Sequence, residues 1–396
     1  MLSPLCRGCS APAEVVTALP KLNSNEFLNA AALIDATDTR GFVCCRFVLC
    51  PHLARTIVRM PRPHNSRLKS VLIGEHLGLL IVLGLLVAFF ALKTDHFFSK
   101  DTLKAITNQI PALTLVSVGM TFVLITGGID LAVGSVLAFS ASVLGVLMMD
   151  QGLSIWMAVP CALCAGAVCG LLSGSISVLA AIPSFIVSLG VLQVARGLTY
   201  LVADSQSIYI ERATGIEFLG ARIDGLGVSP AFLFALATVG VSQFVLHRTL
   251  FGRYSIAIGF NETVVRYSGV ETKWIRIGAF VACGALAAAA GVIETSRMST
   301  ADPNGAIGFE LSAIAAAVIG GTSLMGGRGS MINTFLGVLI IHVLQTGLVH
   351  MNVSEGAKYI TTGSVIVLAV LLDASRARIR SIRAGMRNRR KPKATD

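Results

Sequence analysis

Charge is what this sequence has least of. Only 13% of its 396 residues are Asp, Glu, Lys or Arg, against roughly 25% in a soluble domain. That shortage excludes an ordinary water-soluble fold. Aromatic residues make up 7% and Trp occurs twice. No GxxxxGK[ST] stretch is present, and GGRGS at 326–330 lacks the lysine and the strand-to-helix setting of a phosphate-binding loop. No His/Glu metal spacing and no nucleophile elbow occur, so an enzyme has no machinery here, and the sequence calls for no cofactor. Short alternating segments are missing as well, which excludes a membrane β-barrel.

Long apolar runs recur from residue 71 to residue 373. They predict an all-α polytopic membrane protein with about ten transmembrane helices. The expected spans are 71–92, 104–126, 133–149, 155–178, 183–203, 229–247, 274–295, 308–325, 331–350 and 356–373. Some are short enough for one or two to be half-helices. The net charge of +11 then marks loops rather than a nucleic-acid surface. Nine Lys/Arg crowd residues 374–396, five more lie in 248–276, and the lead before residue 71 is basic. An even span count puts all three on one side. The positive-inside rule makes that side cytoplasmic, with both termini there and the acidic 204–228 loop outside.

Three domains are expected: an atypical extension over 1–59, a transmembrane domain over 60–373 and a basic tail over 374–396. The extension is cysteine-rich, without periodicity or signal-peptide pattern. Met60 opens MPRPHNSRLKS, a basic lead into the first span and a plausible true start; a disordered or regulatory extension is the rival. Cys161 and Cys164 form a CxxC without a second ligand pair, which reads as small apolar helix residues. Gly166, Gly170 and Gly174 in one span, and Gly284, Ala288 and Gly291 in another, make small-residue faces suited to close helix packing.

Three stretches break the pattern. GGIDLAVGS at 127–135 places Gly127, Gly128 and Asp130 inside an apolar run. Asp130 can cap the helix that starts at Leu131, or the broken helix, with Gly134, also lines a polar path. The basic loop GRYSIAIGFNETVVRYSGVETKW at 252–274 carries a short helix, with Asn261 as N-cap, Glu262 in the first turn and Gly269 as the stop. It is either a plain surface helix or a docking helix for a partner. Finally, ADPNGAIGFELSAIAAAVIGGTSLMGGRGS at 301–330 has Glu310 opening a span and the glycine pair Gly320–Gly321 further on. GFEL at 308–311 echoes GIDL at 128–131 five spans later, and an odd offset inverts topology, so an inverted internal repeat is expected.

GGIDLAVGS, PSFIVSLGVLQVARGLTYL at 183–201, GRYSIAIGFNETVVRYSGV and FELSAIAAAVIGGTSLMGGRGS resemble, in order and spacing, the membrane permeases of bacterial ABC sugar importers. The ribose, xylose, arabinose and galactose branch is the most similar, over residues 70–373. The resemblance implies a permease in the bacterial inner membrane, as a homodimer or a pair of related permeases. A separate cytoplasmic ATP-binding subunit would drive it, and a periplasmic sugar-binding protein would deliver substrate. It implies that Gly259, Asn261, Glu262, Arg266 and Gly269 dock the ATPase, and that the segments of Gly127, Gly128, Asp130, Gly134, Glu310, Gly320 and Gly321 lie close to the translocation path. Three positions depart from the family pattern. Phe260 stands for a glycine, Tyr267 for a leucine and Ser312 for a frequent acid. Two rivals stand beside this: a branched-chain amino-acid permease, and an ion- or proton-coupled transporter using Asp130, Arg196, Glu294 and Glu310 as relay groups.

Overall fold

In lipid a chain has no water to satisfy its backbone, so apolar runs of this length must close their N–H and C=O groups on themselves as helices. The computed structural model describes residues 65–94, 97, 99–211, 215–221, 228–354, 356–365, 367–368, 370–371 and 375. The expectations for residues 1–59 and Met60 lie outside these, as does the 374–396 tail apart from residue 375.

The described helices are α1 (Asn65–Lys93), α2 (Lys100–Ile125), α3 (Val133–Met149), α4 (Ile155–Leu179), α5 (Ser184–Val202), α6 (Glu217–Gly220), α7 (Pro230–Arg248), α8 (Leu250–Tyr267), α9 (Thr272–Met298), α10 (Phe309–Ile319) and α11 (Met331–His350). Residues 356–365 continue as helix, where the tenth span was expected. Two short strands, β1 (Ile208–Tyr209) and β2 (Thr300–Ala301), pair antiparallel with Ile208 opposite Ala301. Among the described residues seven helices are long and apolar enough to cross a membrane, and α3 and α10 are shorter apolar helices. This is an all-α polytopic membrane protein.

Nine expected spans match helices to within six residues at each end. The largest departures are of six residues: α1 starts at Asn65 rather than at 71, and α10 stops at Ile319 rather than at 325. Its end is a Schellman turn: Gly321 adopts φ +83°, its N–H reaches Val318 O (2.8 Å), and Thr322 N–H reaches Ala317 O (2.9 Å). Only a residue tolerant of the left-handed region closes a helix this way. Eleven residues rise about 16 Å, half a bilayer, so α10 is a half-helix. A further departure is α8. It begins at Leu250, eleven residues before the expected N-cap, and kinks at Asn261 (φ −163°, ψ 98°).

Helix α9 packs most closely on α4, then on α2 and α3. The two small-residue faces meet there. A Cβ at Gly166 would strike Ala288 and Gly284 O, and one at Gly284 would strike Gly166 O and Gly170. Close backbone approach of this kind supplies the contact that lipid does not drive by itself. Helix α2 is buried along most of its length, whereas α1 is largely exposed. Between α2 and α11, the Thr121 and Thr334 hydroxyls share a buried hydrogen bond of 2.9 Å. Cys161 and Cys164 are free and exposed on α4.

Candidate functional site: two broken helices facing each other

The first break begins where α2 ends. Gly127 sits at φ +79°, its N–H meets Leu124 O (2.9 Å) and Gly128 N–H meets Val123 O (3.0 Å), the same Schellman turn that ends α10. The last helical carbonyl, Ile125 O, accepts from Gly327 N–H at 2.9 Å. The next five residues cross to α3 in irregular conformation while largely buried. Ile129 N–H donates to Ser184 Oγ on α5 (2.9 Å), and Gly128 lies against Phe280 of α9. Asp130 is 2% exposed, and its Oδ1 accepts from Ala132 N–H at 3.0 Å. That bond is a local turn ahead of the helix rather than its cap: α3 begins at Val133, two residues beyond Leu131, and its N-cap position is Ala132 with no side-chain hydrogen bond, which corrects the expectation that Asp130 caps the helix.

The second break approaches α10. Gly308 adopts φ +87°, and its N–H donates to Glu310 Oε1 at 3.3 Å. Glu310 thus lies inside the first turn of α10, while Asp130 lies three residues before α3. The echo between GFEL and GIDL is one of sequence, not of cap geometry. The two breaks nonetheless touch. A Cβ at Gly134 would run into the Glu310 carboxylate and Ala306 O, so only glycine lets the two segments come this close. Gly320, at the far end of α10, lies against the backbone of Asn333 and Thr334 on α11.

The chain leading into the second break is held from α5. Arg196 Nη1 donates to Pro303 O (2.8 Å) and Gly305 O (3.1 Å), and Tyr200 Oη donates to Asn304 Oδ1 (2.7 Å). This clamp was not legible as such, although a lone arginine within the 183–203 span was its signal. Glu294 pairs with Arg297 one turn on. Among the described residues no hydrogen bond or ion pair joins any two of Asp130, Arg196, Glu294 and Glu310.

The predicted loop residues gather at the junction of α8 and α9. Asn261 Oδ1 accepts from Val264 N–H at 3.2 Å, the expected N-cap set within a longer helix. Glu262 accepts from Arg276 Nη1 (3.0 Å), Thr272 Oγ1 (2.9 Å) and Arg266 Nη2 (3.3 Å), tying α8 to α9. Gly269 ends the segment at φ +85°. Phe260, Val264 and Tyr267 are exposed there. Gly259 joins this junction to the first break, because a Cβ on it would collide with Ile125 O and Gly327 N. Gly326 in turn abuts Gly127 and Gly259. In sequence, GGRGS stood out as a failed nucleotide loop and as the end of a motif that resembles the family; that it plugs the end of α2 was not readable. Among the described residues no group of three or more His, Cys, Asp or Glu could hold a metal ion.

The family described as "Branched-chain amino acid transport system / permease component" matches residues 102–372. The ribose import permease protein RbsC of Haemophilus influenzae is 35% identical over 295 residues, 74% of this chain and 91% of that protein. The D-allose transport system permease protein AlsC of Escherichia coli is 31% identical over 80% of this chain and 97% of its own. The fructose import permease protein FrcC of Rhizobium meliloti is 31% identical over 74% of this chain and 84% of its own. No solved structure matches. A match to 102–372, carrying both breaks and the α8–α9 junction, places this chain in the branched-chain amino acid transport system / permease component family.

Proposed function

We propose that this chain is the membrane-spanning permease subunit of an ABC importer, forming the translocation path for a monosaccharide. A separate cytoplasmic ATP-binding subunit drives it, and a periplasmic sugar-binding protein delivers the substrate. The observation that carries this reading is the physical continuity from Gly259 through Ile125 O to the first break, and from Gly134 to Glu310 in the second. A push on the exposed Phe260–Tyr267 surface has a packed route into both broken helices. Gly259, Asn261, Glu262, Arg266 and Gly269 form the docking junction. Phe260 and Tyr267, which depart from the family pattern, supply two of its exposed contacts. The basic 248–276 segment and the basic C-terminal tail support a cytoplasmic position for this face and for both termini.

Pairing of two permeases is supported by α5. Gln193 is exposed halfway along it, beside Gly190 and Gly197, against which nothing packs. A carboxamide at that depth requires a partner or water rather than lipid, and exposed glycines let a second helix approach closely.

The family description names branched-chain amino acids, whereas the relatives cited above are named for ribose, allose and fructose. Uptake assays with the reconstituted system separate the two. Labelled D-ribose, D-allose or D-fructose is expected to be taken up, and L-leucine is not. Uptake of L-leucine without any of the sugars overturns the substrate assignment.

A further inference from the structure

A cavity of about 590 Å³ opens between the first half of α2, the start of α10, the second half of α11 and the helical residues beyond 356. Its size is that of a small-molecule site. On α10 it is lined by Gly308, Phe309, Leu311 and Ser312. Neither Glu310 nor Gly134 is among the residues that line it, so the cavity is separate from the Gly134 contact. His342 lines it from α11, is 7% exposed, and neither ring nitrogen has a hydrogen-bond partner among the described residues. An imidazole left this way in a membrane protein is disfavoured unless something in the cavity bonds it. His342 lies eight residues before the end of α11, about 12 Å along the helix axis, and Gln109 on α2 and Gln345 on α11 line the same space.

The lining selects the class of occupant. Among the described residues no carboxylate lines the cavity, which argues against a cation or an amine. Of the basic groups near it, His350 is bonded to Thr102 Oγ1 (3.1 Å) and Lys358 is already engaged, so neither is a vacant anion site. An acyl chain reaching inward would lie on the imidazole and carboxamides. What remains suits hydroxyls: neutral groups that both donate and accept, facing an apolar wall of Leu113, Phe309 and Val349. We propose that this cavity is a binding site for a neutral, hydroxylated small molecule of monosaccharide size, held by His342 and Gln109 and resting against the first turn of α10. Occupancy there would bear on the same half-helix whose other face meets Gly134.

The test is a titration of the full chain, labelled with ¹⁵N-histidine, in lipid nanodiscs with D-ribose as probe. The signal that disappears in His342→Gln identifies His342. It should move saturably with millimolar D-ribose and stay still with L-leucine. Gln109→Leu retains that signal and should weaken the D-ribose response at least tenfold, while the other histidine signals, unchanged, report the retained fold. A His342 signal that does not move with D-ribose means that the cavity holds only water and overturns the proposal. A response equal for L-leucine, or unaltered in Gln109→Leu, overturns it too. No ATP-binding subunit is needed for this titration, so failure of sugar transport and failure of this site are read separately.

Discussion

The two glycine-and-acid breaks look alike in sequence and are built for different tasks. GIDL is a sealed joint. Its acid is buried, its carboxylate is spent on Ala132 N–H, and Ser184, Phe280, Gly259 and Gly326 close round it. GFEL is a more open one. Glu310 is half-buried, its approach is hung from α5 by Arg196 and Tyr200, and the helix behind it borders a cavity. A carboxylate's role is therefore set by its neighbours: turning the chain where it precedes a helix and is enclosed, and holding two segments together where it sits inside a first turn against Gly134.

Perturbing the point where the two breaks meet has the largest expected effect. Gly134→Val drives a branched side chain into the Glu310 carboxylate and Ala306 O. Uptake should be abolished with the chain still inserted, as read by transport and by membrane fractionation. Gly259→Ala acts on the sealed joint alone, forcing Ile125 O and Gly327 apart. Overpacking of this kind costs about 1–3 kcal/mol, which thermal unfolding in nanodiscs should register together with weakened coupling of ATP hydrolysis to uptake. The pair Asp130→Ala and Glu310→Ala separates the two tasks. Losing the buried Asp130–Ala132 bond should cost about 1 kcal/mol of stability with KM for uptake unchanged, whereas Glu310→Ala should alter uptake kinetics with little change in unfolding. Identical profiles for the two would erase the distinction. The smallest effect is on Glu262→Ala, whose pairs with Arg266 and Arg276 are partly exposed. Stability should change by less than about 1 kcal/mol, while ATP hydrolysis continues at a reduced yield of transported sugar.

Much of this was legible because lipid leaves the backbone few options. Apolar length located the spans, and glycine spacing on α4 and α9 identified two faces that do pack together. Asn261 and Gly269 announced a start and a stop. The end of α10 was misplaced because apolar residues run on to Met325 past the helix-closing Gly321. The early start of α8 was hidden because Gly252 and Gly259 weaken the helical pattern of residues 250–260; both are there for close backbone contacts that no local pattern records. Nor does sequence reveal what a glycine touches. The Gly134–Glu310 approach and the Gly259–Gly327 seam join residues far apart in the chain and depend on the finished packing.

In the proposed function, motion is supplied from outside the chain. Its most direct test is uptake of labelled D-ribose into proteoliposomes holding this chain, with and without the ATP-binding and sugar-binding proteins of its own system. The structure predicts accumulation only when all three and ATP are present, unaffected by an uncoupler. Accumulation by this chain alone, abolished by an uncoupler and indifferent to ATP, would contradict it.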